Sequence, residues 1–428
     1  MAAASQADTV VLLEVASNNQ SNSGPRIRSV PRKLCNIDKN RGCYERMLVS
    51  IDPFYHGRPD LQLLEPLKIE QEQQFISHMG SEFPAFDRNF DEVAIRAREC
   101  YDLSDPYCDF PNDVFMRIMF RDGCFLLHFI YCISEDKPDD TKKKTDQRAL
   151  VLRDLFLLEN QLPFIVLKEL MMNLRYGEVY SKELITKFIR MQKVFTGYNP
   201  LWLVDSQPLH LLDLLWKELV RAAPYKRPLF SHTWPMSRAR DCMEDWYSFR
   251  TVSELKESGI ECKGSTTCSL KDMSFKRGIT SGYQQLPPIV IDNSTKSKFL
   301  NLVAYESLPD APDDLVVTSY ICFLDSLIHS TEDVKELKSK GILRNALGSD
   351  QQILDLFNNL ALELVPDPEL YGDVKKAIER HFNSEVRLWL ADVRDTYFTA
   401  ASLALLLTIV QTYFTVFPRN NNDCCKKP

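Results

Sequence analysis

The chain has 428 residues, 44% of them hydrophobic and 26% charged, with a net charge of −7 and a pI of about 5.7. These values exclude a disordered or collagen-like chain. The mild acidity, with lysines and arginines scattered among the acids, excludes the basic face of a nucleic-acid binder. A chain of this length buries a core large enough to need neither metals nor disulfides.

Residues 1–29 are rich in Ala, Ser and Asn and are predicted to be disordered. No signal peptide is visible: the first Arg is Arg26, Asp8 stands where a basic segment would be, and the apolar run Val10–Leu13 is short. Val49–Gly57 contains Asp-Pro and His-Gly pairs and reads as an ordered loop or short strand. Glu65–Gly80 and Asp87–Tyr101 read as helices with one charged face. Asp113–Ser134 is much more apolar and reads as a core helix, interrupted or tilted at Gly123. Arg117, Arg121 and Asp122 exclude it as a membrane span.

The loop 134–148 carries the one basic run, Lys142 to Lys144, flanked by acids, and reads as a solvated segment. Ala149–Met172 looks like a membrane stretch by apolarity, but Arg153, Asp154, Glu159, Asn160, Gln161 and Pro163 would be costly in lipid. It is predicted to be two core helices broken at Asn160–Pro163, with Pro163 at the start of the second.

Leu209–Arg221 reads as a helix. Pro224–Met243 reads as a linker and a candidate subdomain boundary. Thr251–Gly259 is predicted to be a short helix ended by its glycine. Phe275–Asp292 has β character, with Leu286–Asp292 as an edge strand. Asn301–Glu306 and Val316–His329 read as helices. Ser330 or Thr331 caps the next, which ends at Gly341 with Ile342 packed behind it. Gln351–Leu364 and Val374–Asp395 complete the amphipathic helices. The fold expectation is mainly α: a helical globular domain over 30–396 with a few short strands, and one C-terminal membrane helix.

That last helix is Tyr397–Phe417, 21 residues without a formal charge. It would span roughly 32 Å, close to the hydrocarbon thickness of a bilayer. Tyr397, Phe398, Tyr413, Phe414 and Phe417 crowd its ends, as suits a headgroup boundary. Membrane lipid is thus the one partner the sequence names. A buried core helix is the alternative, but core helices of this length carry a charged stripe. Eleven residues follow, 418–428, so insertion is expected after release from the ribosome, with the bulk of the chain in the cytosol. Flanking charge is nearly balanced: Arg419, Lys426 and Lys427 against Arg387 and Arg394. Cys424 and Cys425 beside the membrane are either plain tail residues or acylation sites.

Several stretches in this order resemble one plant family, the domain of unknown function 247 family. They are Val49–Gly57 (VSIDPFYHG), Arg153–Pro163 (RDLFLLENQLP), Ser253–Ile260, Asn301–Glu306 (NLVAYE), Thr318–Tyr320, Thr331–Val334 with Gly341–Ile342, and Gln411–Thr412. The resemblance covers 27–416. It implies a plant protein, mostly helical, ending in one hydrophobic span, with no established catalytic residues. Some members look like male determinants of self-incompatibility in grasses, which implies recognition or signalling. Members often carry two adjacent histidines where this chain has Tyr55-His56, which argues against a required two-histidine site.

Candidate chemistry is sparse. Asp154 and Glu159 interrupt an apolar region and form a candidate acid/base pair. On one continuous helix they would diverge by about 140°, which favours a role in bonding free backbone donors near Pro163. Asp52 and His56 flank a turn and read as a dyad or as a local turn brace. Histidines at 56, 78, 128, 210, 232, 329 and 381 show no metal-ligand spacing. Of twelve cysteines, Cys35/Cys43, Cys100/Cys108 and Cys124/Cys132 lie eight apart; they read as core thiols, with extracellular disulfides as the alternative. Sequons stand at Asn19 and Asn293. No cofactor or metal site emerges. The expected function is a membrane-anchored, non-enzymatic interaction or signalling protein with a protein partner. The alternatives are a hydrolase or transferase assembled from Asp52, His56, Asp154 and Glu159, and a soluble protein whose last helix is core.

Overall fold

The computed structural model describes residues 27–102, 110–137, 145–174, 177–192, 208–221, 249–267, 269–278, 281–311, 314–382 and 385–416. The linker 224–243, Lys142–Lys144, Cys108, His232, Asn19, Cys424 and Cys425 lie outside them. The architecture is mainly helical, as the periodicity predicts. In chain order the helices are α1 (Arg32–Cys35), α2 (Glu65–Met79), α3 (Phe83–Glu99), α4 (Asn112–Ser134), α5 (Thr145–Asp154), α6 (Phe164–Met172), α7 (Gly177–Met191), α8 (Leu211–Val220) and α9 (Val252–Glu257). Four strands follow: β1 (Ile260–Gly264), β2 (Ser274–Arg277), β3 (Gly282–Leu286) and β4 (Ile289–Ile291). Then come α10 (Thr295–Glu306), α11 (Val316–Leu327), α12 (Thr331–Ser339), β5 (Leu343–Asn345), α13 (Asp350–Leu360), α14 (Gly372–Phe382) and α15 (Glu385–Val416).

The central strut is α4. It packs against α2, α3, α6 and α7, because its apolar residues recur around most of its circumference. Phe115, Ile118, Phe125, Leu126, Phe129 and Ile130 are all buried. The helix runs unbroken through Gly123, against the interruption predicted there. The glycine serves packing instead: a Cβ at 123 would collide with Leu170 Cδ1 and sit 3.2 Å from Val166 Cγ1. Glycine lets α6 approach α4 closely.

The second half packs α9 and α13 on α12, and α11 on α10 and α13. β1 pairs with β3 in parallel and β2 with β3 antiparallel; β4 and β5 form a separate parallel pair. The predicted single edge strand Leu286–Asp292 is therefore two strands in two sheets. Pro287 and Pro288, which donate no backbone hydrogen bond, separate them. One hydrophobic cluster runs through both halves.

Helix ends follow local chemistry. Thr251, Ser330 and Ser349 each close a capping box, with Glu254, Asp333 and Gln352. Of the two capping candidates at 330 and 331, Ser330 is the cap. Gly341 takes φ 69°, Ile342 N–H donates to Leu337 O at 3.0 Å, and Ile342 is buried. That is the αL termination the Gly-Ile pair predicts.

Three boundaries differ from expectation. Residues 27–29 are ordered: Ile27 is buried and bridges Tyr101, donating to Cys100 O and accepting from Asp102 N–H at 3.0 Å. The helix from Thr295 begins earlier than predicted, and the stretch predicted as Val374–Asp395 is described as two helices, α14 up to Phe382 and α15 from Glu385. The uninterrupted described side chains of α15 run 398–413, and among the described residues no helix is long and apolar enough to cross a membrane. The side chains of Tyr397, Phe414 and Phe417, part of the predicted span, lie outside them.

Candidate functional site

Three of the four polar residues predicted as candidate chemistry, Asp52, Asp154 and Glu159, gather at one place, where loop 46–55 meets the segment after α5. The first helix of the 149–172 region ends at Asp154, not at Asn160, so Asp154 and Glu159 do not diverge as they would on a continuous helix. Both turn toward the same loop. Asp154 is fully buried and accepts from three successive backbone N–H groups: Met47 at 3.0 Å, Leu48 at 2.7 Å and Val49 at 3.1 Å. Arg153 Nη1 adds a contact of 3.0 Å. Burial raises the carboxyl's pKa and these donors pull it back.

Asn160 continues the pattern. Its Oδ1 accepts from Ile51 N–H at 2.8 Å, and its Nδ2 donates to Val49 O and Asp154 O. Gln161 donates to Leu155 O and Leu157 O and accepts from Leu212 N–H at 3.0 Å. Glu159 accepts from Val30 N–H at 2.8 Å and Tyr55 OH at 3.1 Å. Arg46, which sequence reasoning missed, joins the group: its side chain, 2% exposed, donates to Asp52 Oδ2 at 2.6 Å and to Glu159 O. It also stacks 3.4 Å from the Tyr55 ring centroid.

Asp52 and His56 form no dyad. Asp52 Oδ1 accepts from Tyr55 N–H at 3.1 Å, bracing the turn, while its other oxygen binds Arg46. His56 packs edge-on against Phe110, and burial lowers its pKa. It lines a cavity of about 430 Å³ with Glu72, Asp87, Asp113, Arg117 and Arg121. Neither Asp52, Asp154 nor Glu159 lines that cavity. The donors and acceptors around Asp154 bind the protein's own backbone, so this cluster is a tie between segments.

Two further residues of the family-like segments act in the same way. Asn301 Oδ1 accepts from Leu158 N–H at 2.8 Å, and its Nδ2 donates to Cys43 O at 3.1 Å. Glu306 accepts from Trp216 Nε1, Val317 N–H, Thr318 N–H and Thr318 Oγ1, all within 2.9 Å, and so caps α11 from α10. Their signal in the sequence was polarity inside an apolar helix. Among the described residues, no group of three His, Cys, Asp or Glu side chains is placed to hold a metal. Cys35, Cys43, Cys100, Cys124, Cys132, Cys262 and Cys322 are free thiols, and Cys124 and Cys132 share the buried side of α4.

A second cavity, of about 310 Å³, opens between α2, α4 and α7. Its wall is mostly apolar, with Phe75, Leu127, Ile130 and Leu184, and Gln71 also lines it. Sequence reasoning did not find it, because its residues come from three separate helices.

The family model described as a plant protein of unknown function, DUF247, matches residues 27–415. A putative UPF0481 protein of Arabidopsis thaliana is 23% identical, over 91% of this chain and 91% of its own length. A second UPF0481 protein of the same plant is also 23% identical, over 95% of this chain and 87% of its own. No solved structure matches. The segments that tie loop 46–55 to Asp154, Glu159 and Asn160, and those that Asn301 and Glu306 join, all fall inside the matched region, and the chain belongs to the DUF247 family of plant proteins of unknown function.

Proposed function

We propose that this protein is a membrane-anchored, non-enzymatic interaction or signalling protein, with α15 as the anchor and the helical domain as its cytosolic binding surface. One observation carries the anchor reading. Leu405, Leu406 and Leu407 are 66%, 60% and 58% exposed. Consecutive residues on a helix point about 100° apart, so three exposed leucines in a row leave no face packed on the domain. A core helix would bury at least one of them, which argues against the reading of this helix as core. Phe398, Leu403, Ile409, Val410 and Tyr413 are exposed as well. An apolar surface on all sides of a helix is stable in hydrocarbon and costly in water. The sequence supplies the rest of the length a span needs, from Tyr397 to Phe417.

The non-enzymatic part is supported by the Asp154 cluster, whose carboxylates are engaged by backbone donors and by Arg46. The expected partner is a protein, met by a domain whose search the anchor confines to one membrane.

The test is fractionation of the full chain and of a chain lacking 397–428. The full chain is expected in the membrane pellet, resistant to alkaline extraction and released by detergent, while the shortened chain stays in the supernatant. A full chain that is soluble without detergent overturns the anchor. Asn293 is exposed, so its sequon reports orientation. It is expected to stay unglycosylated, and a glycan there would place the domain in a secretory lumen.

A further inference from the structure

The three-stranded sheet has one covered face and one open face. Side chains alternate along each strand, so the pairing register sorts them. Cys262, Gln284 and Phe275 share the covered face. The first two are buried, and the Phe275 ring packs on His381 of α14 with 5.6 Å between centroids. Lys263, Tyr283 and Lys276 share the other face. Lys276 stands directly opposite Tyr283, and Lys263 lies two residues past Glu261, the partner of Tyr283 on β1. Both lysines are exposed.

The two ammonium groups converge on one ring, with Nζ atoms 4.4 and 5.7 Å from the Tyr283 centroid. Among the described residues neither lysine forms an ion pair, and Glu261, the acid on this face of the strands, faces Lys340 at 3.6 Å. Like charges gathered at one ring repel, and an anion beside them offsets that repulsion. The position of the sheet in the chain says which anion is at hand. α14 packs on β2, and the chain runs from His381 to Tyr397, where the proposed span begins, in sixteen residues. That is about 24 Å along a helix axis, so the sheet is tethered near the bilayer that the span enters. Lysines gain at an anionic lipid surface, and a tyrosine, apolar in body and polar at its tip, suits the headgroup level.

We propose that the open face of this sheet, with Lys263, Tyr283 and Lys276, docks the domain on the anionic lipid headgroups of the membrane that α15 enters. The proposal rests on the anchor reading and adds an orientation to it: the anchor holds the chain at the membrane, and the lysines turn this face toward the lipid.

The test places the full chain in two kinds of nanodisc, phosphatidylcholine alone and equal parts phosphatidylcholine and phosphatidylserine. Lysines are acylated with an uncharged succinimidyl ester and their rates are read by mass spectrometry. Lys33 of α1 and Lys187 of α7, exposed on other elements, are the references. Relative to them, Lys263 and Lys276 are expected to react about fivefold more slowly in the mixed discs than in phosphatidylcholine, the size of effect one lysine gains at an anionic surface. Lys276→Gln should return Lys263 most of the way to its phosphatidylcholine rate, and Lys263→Gln should do the same for Lys276. Equal relative rates in the two discs, or protection that survives both substitutions, would overturn the docking and leave the anchor standing. A chain that fails to enter either disc overturns the anchor and this proposal with it. Protection by added poly-glutamate in phosphatidylcholine discs, with none from phosphatidylserine, would assign the face to an acidic protein and overturn the lipid assignment.

Discussion

At the residue scale, single carboxylates hold distant segments together. Asp154 gathers three backbone N–H groups that belong to no helix or strand, and those of the buried Leu48 and Val49 would otherwise be orphans. Asp154→Ala is expected to destabilise the protein by ~3–5 kcal/mol, the range for breaking a buried charged network, read as a lower melting midpoint. An unchanged midpoint would show that loop 46–55 does not depend on it. His210 acts differently. It caps α8, its Nδ1 accepting from Asp213 N–H at 3.1 Å, and burial lowers its pKa to about 4. The unfolded chain binds that proton near pH 6.5 and the folded chain does not. Stability from this group is therefore complete above pH ~6.5 and falls as pH drops toward about 4. His210→Asn replaces the capping nitrogen with an amide oxygen and removes the titration. Denaturant midpoints across that window should fall less steeply in the variant; equal slopes would remove His210 as the cause.

At the element scale, the contact between α4 and α6 decides how the helical half packs. Alanine at 123 gains helix propensity worth about 1 kcal/mol, yet overpacking costs typically ~1–3 kcal/mol. Leu170, fully buried, has no room to yield. Gly123→Ala is thus expected to lower stability by about 1–2 kcal/mol. In a Leu170→Val background the same change should become neutral or favourable, because the colliding methyl is gone. A double-mutant cycle on thermal unfolding measures this coupling, and simple additivity would show that the two helices do not meet there. The same contact explains a misreading. A lone glycine in an apolar helix reads as a break by propensity, while its use was close approach, which propensity does not encode.

At the scale of the whole molecule, periodicity and punctuation determined much of the outcome. Helical patterns located α2–α4, α6, α8 and α11–α13, since an amphipathic stripe must face a core wherever that core lies. Ser330, Thr251 and Gly341 marked helix ends, because capping is a local transaction between neighbouring backbone groups. The charges in Ala149–Met172 excluded a span there, and the same rule makes the uncharged run Tyr397–Phe417 the anchor of the proposed reading. What the sequence left undetermined was every arrangement that needs partners far apart in the chain. Asp154 and Glu159 looked like divergent carboxylates until loop 46–55 was seen to bind both. Asp52 and His56 looked adjacent, and the fold sent one to Arg46 and the other to a separate cavity. Local order follows from neighbours in sequence, which the chain displays directly. A site follows from neighbours in space, which only the packed fold supplies.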